Sequence, residues 1–374
     1  MAAVFFACCS SMASILLITS SGSVLNYLKI YGKDVNTALI KCAFEMMFPM
    51  FNIFIIGQTI SHMGSLAIVW QLQVGTLLTT ALSLLLGFLL IALIPVPDSS
   101  RYTTVSIVAF SNLGNIPLLL VESSCKDYGP LRGYEDCPLL PGFVMTCTIA
   151  SNIMVWGFGY SLILKDAHAQ AKSRVENFFS AANQDATSLM SATFDEPLLP
   201  PKVDVKTILK NAFCALVPMS SMIGLFFGML PYVDVILFNH DAPFAFITRA
   251  MLEVGFLGII FTQQVLGSNI KEQFDKPQTI SPILLAGLAI ARLVVAPIIV
   301  QFIVHLLVKE QILSLGVGFI IVAGAACPSA LSTMGLNQLL DVGMEVTSIA
   351  FMVIYPMSVL TLTVHCYMFF DLNM

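Results

Sequence analysis

Two short strings place amides, hydroxyls, glycine and proline inside otherwise apolar sequence. The first is Ser111-Asn112-Leu113-Gly114-Asn115-Ile116-Pro117; the second is Gly324-Ala325-Ala326-Cys327-Pro328-Ser329-Ala330-Leu331-Ser332-Thr333. Proline removes a backbone donor and clashes with the preceding turn, so a helix running through either string breaks or unwinds. At membrane depth an exposed backbone group is costly, and the break must therefore line a polar cavity or be covered by protein. The half-helices beyond the breaks present N–H groups and partial positive charge at their starts, and Asn112, Asn115, Ser329, Ser332 and Thr333 add neutral donors. With Gly114, Pro117 and Pro328 these residues form a candidate site for a small organic anion. For either string alone a packing kink, with hydroxyls satisfying freed carbonyls, is the alternative. Two breaks in corresponding positions of two halves favour a secondary-carrier site.

The elements that carry these strings follow from composition. Of 374 residues, 57% are hydrophobic and 10% charged, against roughly 25% charged in a soluble globule. The chain belongs in a bilayer. Its net charge of −5 with no basic block excludes a nucleic-acid footprint. The nine cysteines show no metal-ligand spacing, no Walker, GxSxG, HExxH or dinucleotide string occurs in a workable context, and no cofactor, metal or catalytic residue is expected. Residues 1–28 hold no Lys or Arg, so they read as a first membrane helix rather than a cleaved signal.

A crossing needs about 20 apolar residues. The sequence predicts ten spans, near Ala2–Tyr27, Val35–Ile60, Leu66–Ile94, Tyr102–Val121, Pro138–Leu164, Thr207–Leu230, Pro243–Leu266, Ile280–Val308, Ile312–Leu340 and Val346–Phe370. The two strings fall in the fourth and ninth. Ten spans place twelve loop-proximal Lys and Arg on one side and only Lys126, Arg132, Arg249 and Lys309 on the other, which assigns the first side to the cytosol. Both termini then face away from it. Residues 1–164 and 207–374 form two five-helix halves, joined by a polar central loop at 165–206 that is expected to be cytosolic and largely disordered, with one short helix at most. Within the loop, Asp195-Glu196-Pro197-Leu198-Leu199 is either a relative of acidic dileucine sorting signals or solvated sequence with two incidental leucines.

Arg292 is the one basic residue deep in a span and needs a partner or a cavity; it pairs with Glu253 on the seventh span or serves a translocation path. Lys41 and Glu45 lie one turn apart and are expected to neutralise each other. His305 and His365 near the non-cytosolic side read as interfacial, with a proton relay as the alternative. Cys125 and Cys137 bracket a short loop on that side and either bridge or stay as two thiols.

The spans, the central loop and the two strings resemble the auxin efflux carrier family, most closely its PIN-LIKES branch. There the fourth span typically reads Gly-Asn-Leu-Gly-Asn-Leu-Pro before a Cys-bounded loop, matched here by Ser111 to Pro117 and Cys125 to Cys137. Asp241-Ala242-Pro243, Arg292 with Pro297, and Pro328 through Gln338-Leu339 continue the likeness. Ser332 stands where relatives often place an asparagine, offering fewer donors. The resemblance implies an all-α membrane protein of two inverted five-helix repeats with broken crossover helices 4 and 9, and an elevator-like alternating-access movement. It implies transport of an auxin-type indole carboxylate across the endoplasmic reticulum membrane, limiting the hormone that reaches auxin signalling in the nucleus. Another organelle or the plasma membrane is the alternative location. The bilayer, a small organic anion and a second copy of the chain in a homodimer are the expected partners. A sodium-coupled variant has no carboxylate at the breaks to ligate the ion. The competing readings are a non-transporting sensor or scaffold that signals through the central loop, and a carrier of another amphipathic acid.

Overall fold

The computed structural model of the chain describes residues 2–63, 66–125, 131, 137, 139–182, 204–239, 241–274 and 280–373. Among them the structure is helical apart from one isolated antiparallel bridge, Ser111 to Ser329. In chain order the principal helices are α1 (Ala2–Tyr27), α2 (Lys33–His62), α3 (Leu66–Leu93), α4 (Arg101–Ala109), α5 (Asn115–Cys125), α6 (140–182), α7 (Val205–Cys214), α8 (Leu216–Gly228), α9 (Ala245–Phe274), α10 (Pro282–Lys309), α11 (Leu315–Ala326), α12 (Leu331–Leu340) and α13 (Met344–Asn373), with short helical turns at Asp98–Ser100, Pro231–Val233 and Asp234–Phe238. Seven of them are long and apolar enough to cross a membrane, and the α7/α8 pair, bent by 51°, makes an eighth. The predicted fourth and ninth spans are each two half-helices, α4/α5 and α11/α12, interrupted at 110–114, which holds Gly114, and at 327–330, which holds Pro328; Pro117 stands in the first turn of α5 and Gly324 inside α11.

Helix α6 runs past the predicted end of its span into the region expected to be largely disordered with one short helix at most. Part of the reason is Asp166, which is buried and accepts from the backbone N–H groups of Tyr102 at 3.0 Å and Thr103 at 2.5 Å. Those first-turn donors of α4 have no carbonyl within their own helix, so a carboxylate placed opposite them fixes α6 against the start of α4. The dileucine-like stretch Asp195–Leu199 and most of the loop between Cys125 and Cys137 lie outside the described residues. The two cysteines themselves are joined in a disulfide.

Single π-helical turns widen α2 at Ala43–Met47, α6 at Val155–Gly159 and α10 at Ala291–Val295. Such turns leave carbonyls for other partners. The Leu293 carbonyl of α10 meets Nε2 of His365 at 2.9 Å, while Nδ1 of the same ring lies 3.3 Å from Gln301 Oε1. His365 is therefore buried between α10 and α13, not interfacial as expected. Lys41 and Glu45 sit on one face of α2, 3.9 Å apart.

Where α1 crosses α9, Gly22 and Gly267 let the backbones touch. A Cβ on either glycine would overlap the carbonyl of Gln264 or of Thr19, and Ser23 Oγ donates to the Gly267 carbonyl at 2.7 Å. Small residues at such crossings are how membrane helices gain dispersion contact without a hydrophobic driving force. Gly267→Val is expected to cost about 1–3 kcal/mol by forcing the helices apart, whereas Gly32→Ala, which meets nothing within 4 Å, is expected to melt with wild type. Thermal unfolding in one detergent compares the two, and an unshifted melting temperature for Gly267→Val would contradict this packing.

Candidate functional site

Both breaks are made of extended backbone. After α4 the chain straightens at Phe110 (φ −100°, ψ 119°), and after α11 it straightens from Cys327 (φ −67°, ψ 150°) to Ala330 (φ −66°, ψ 133°). An isolated extended segment in hydrocarbon would leave its donors and acceptors bare. Here the two segments cross and satisfy each other: Asn112 N–H donates to the Pro328 carbonyl at 2.8 Å and Ala330 N–H to the Phe110 carbonyl at 2.8 Å.

Side chains take up the groups that remain. Ser329 Oγ donates to the Ile107 carbonyl at 2.6 Å, and Tyr355 Oη of α13 donates to the Ser329 carbonyl at 2.9 Å. The same phenol oxygen accepts from Asn112 Nδ2 at 3.3 Å, which orients that amide. Arg292, projecting from the π turn of α10, is buried and reaches the ends of both first half-helices. Its Nε and one Nη donate to the Cys327 carbonyl at 3.1 and 2.8 Å, and the other Nη donates to the Val108 carbonyl at 3.3 Å. The expected pairing with Glu253 does not occur, for Glu253 is exposed on α9 and the guanidinium already spends its donors on helix C-termini. A cation at two helix C-termini sits where both macrodipoles favour it.

On the other side of the crossing lies a cavity of about 770 Å³ of empty space, its open mouth included. One wall is the breaks themselves, with Ser111, Asn112, Leu113 and Gly114 from the first and Ala330, Leu331 and Ser332 from the second. The facing wall comes from α2 (Phe44, Phe48, Phe51, Asn52), α6 (Met145, Thr148, Ser151, Asn152, Trp156), α8 (Val217) and α9 (Ile259, Thr262). Among the described residues no Lys, Arg, His, Asp or Glu lines it. Phe44 and Trp156 meet edge to face, centroids 5.2 Å apart, and Phe44 occupies space that Gly335 of α12 leaves free. Asn152 donates to Ser221 Oγ at 2.9 Å.

The sequence-derived residues divide by place. Asn112, Gly114 and Ser332 line the cavity; Pro328 and Ser329 hold the crossing; Pro117 and Thr333 are buried behind it, the Thr333 hydroxyl without a hydrogen-bond partner among the described residues. Asn115 opens α5 by its backbone, and its side chain lies outside the described part of the structure. The aromatic wall, Asn52, Asn152 and Tyr355 were not singled out from sequence. The aromatics read as ordinary span residues, and their only signal is the π turns at 43–47 and 155–159 that carry Phe44 and Trp156.

Broken helices that meet over a polar and aromatic cavity inside a multi-pass apolar bundle define the architecture of a membrane carrier. The pattern of the family described as membrane transport protein matches residues 7–366, and the chain belongs to that family, the one of the auxin efflux carriers. Among its relatives, Protein PIN-LIKES 3 of Arabidopsis thaliana is 24% identical over 378 residues, covering 94% of both chains. Protein PIN-LIKES 1 of the same plant is 23% identical over 381 residues, covering 94% of this chain and 76% of its own, and Protein PIN-LIKES 7 is 20% identical over 374 residues, covering 94% of both.

Because Arg292 donates to two carbonyls at the ends of broken helices, Arg292→Ala is expected to destabilise the fold by about 2–6 kcal/mol. Arg292→Lys should fall between, since an ammonium cannot span both sites as a fork does. Unfolding curves in a common detergent give the order wild type, Lys, Ala; an alanine variant as stable as wild type would remove the assigned role.

Proposed function

We propose that the chain carries a small amphipathic carboxylate, of the auxin-type indole class, and that the anion lies in the cavity between the breaks. The observation that carries this reading is the division of charge about the crossing. The C-terminal ends of α4 and α11 meet Arg292, whereas the N-terminal ends of α5 and α12 point their first-turn N–H groups and partial positive charge to the cavity side. Among the described residues, the cavity lining holds no fixed charge that would bind or repel an ion more strongly. Asn112 and the backbone N–H groups at Asn115 and Ser332 take the carboxylate in this reading, and Phe44, Phe48, Phe51 and Trp156 take the ring, through edge and face contacts of the sort aromatic pairs favour.

The same reading groups the helices into ten spans as two inverted repeats of five, residues 1–164 and 207–374, with α4/α5 and α11/α12 as the broken crossover spans. Corresponding breaks in the two halves support it. Movement is elevator-like, the broken spans shifting against α2 and α9. The central loop faces the cytosol and both termini face away from it, following the twelve-to-four partition of Lys and Arg; the endoplasmic reticulum as the membrane is what the family resemblance implies. The molecule carries out no bond-making chemistry in this account.

Reconstituted vesicles are expected to take up radiolabelled indole carboxylate saturably. Uptake should fall as pH drops below the acid's own pKa, because the bound species is the anion. Asn112→Ala should reduce uptake about tenfold, the loss of a hydrogen bond to a charged group. Equal flux in wild type, the variant and empty vesicles would overturn the proposal.

A further inference from the structure

Half-helix α12 leaves the break and ends in a turn fixed to the helices that carry the breaks. Its C-cap Asp341 is left-handed at φ 51°, and Gly343 follows at φ 66°, where Thr103 of α4 fills the space a Cβ would need. From this turn Asp341 Oδ1 reaches Lys33 Nζ, at the start of α2, at 2.8 Å. Three residues earlier, Gln338 Nε2 donates to Thr37 Oγ1 of α2 at 3.0 Å, and Gln338 Oε1 accepts from Asn269 Nδ2 of α9 at 3.1 Å. Asn36 Nδ2 closes the chain, donating to Asn269 Oδ1 at 3.1 Å and Ser268 Oγ at 2.9 Å. Asn36, Ser268, Asn269 and Gln338 are all buried, and none of these residues lines the cavity at the breaks.

Helices that need only stay together in a membrane can do so on small-residue packing, as α1 and α9 do. A buried amide chain is worth building where one register must be specified among several, because it is stable only when its members are correctly matched. Two details fit a contact that parts and re-forms. Asn36 Oδ1 is buried with no partner among the described residues, so the chain holds an acceptor that the present arrangement leaves unused. The Lys33–Asp341 pair is more than half exposed and borders about 1700 Å³ of empty space, its open mouth included, that Arg174 and Glu345 also line, so water can take over both charges on separation.

We propose that Lys33–Asp341, with Gln338, Thr37, Asn36 and Asn269, is a clasp between α12 and the α2/α9 pair that holds the arrangement seen here and releases when the broken helices move. It rests on the carrier reading, in which that movement occurs, but its test needs no substrate. Hydrogen–deuterium exchange of the full chain in nanodiscs reads clasp opening as faster exchange in Lys33–Cys42 and Leu331–Leu340. Lys33→Gln and Asp341→Asn are each expected to speed exchange there about two- to fivefold, and Gln338→Leu about fivefold or more. Exchange in α3, away from the clasp, should stay at the wild-type rate. The exchanged pair Lys33→Asp with Asp341→Lys should bring both segments back toward wild type. Unchanged exchange in both segments of the folded variants, acceleration spread equally to α3, or no recovery in the exchanged pair would overturn the clasp. A wild type that moves no indole carboxylate would sink the carrier reading and leave these rates to be judged by themselves.

Discussion

The crossing of two extended segments in the middle of the bundle is the constraint on which the rest of the structure depends. Glycine and proline deny each broken span a continuous helix, and hydrocarbon forbids bare backbone. The two demands are met together only if each break supplies what the other lacks: Asn112 N–H for Pro328 O, and Ala330 N–H for Phe110 O. Neither half could be built alone, because the donors of one break are the partners of the other. Each group left unmet at the crossing would cost about 1–3 kcal/mol.

Arg292 and the cavity occupy opposite poles of the same device. Breaking a helix exposes a negative end and a positive end a few residues apart. The negative ends are neutralised in the interior by one guanidinium, whose geometry permits three donors to two carbonyls. The positive ends face a space whose lining, among the described residues, has no carboxylate to fill them. In the proposed reading the protein thereby presents an anion site without a mobile cation in it, which fits the need of a carrier to release what it binds. The ring-bearing wall of α2 and α6 supplies apolar area of the kind that separates an indole acid from a simple inorganic anion.

Much of this was legible in the sequence, and for physical reasons. Charge-free runs of membrane length mark the spans, and Gly114, Pro117 and Pro328 mark the interruptions because their backbone chemistry acts locally. The partner of Arg292 was not legible: opposite charge suggested Glu253, but the carbonyls that accept from Arg292 exist as free acceptors only after the helices break. His365 was misplaced for the same reason, since its acceptor is the carbonyl of Leu293 in a π turn that no residue pattern announces. Phe44 and Trp156 were invisible because an aromatic in an apolar span looks alike whether it meets lipid or ligand. The helical stretch beyond residue 164 was hidden in a polar composition that reads as loop, although Asp166 fixes its start against α4.

The most direct measurement of the central claim is an experimental density map of the protein in a lipid nanodisc with an indole carboxylate bound. The account predicts the carboxylate between the first turns of α5 and α12, within hydrogen-bond reach of Asn112, and the ring against Phe44 and Trp156. Ligand density elsewhere in the bundle, or either crossover span running as one unbroken helix, would contradict it.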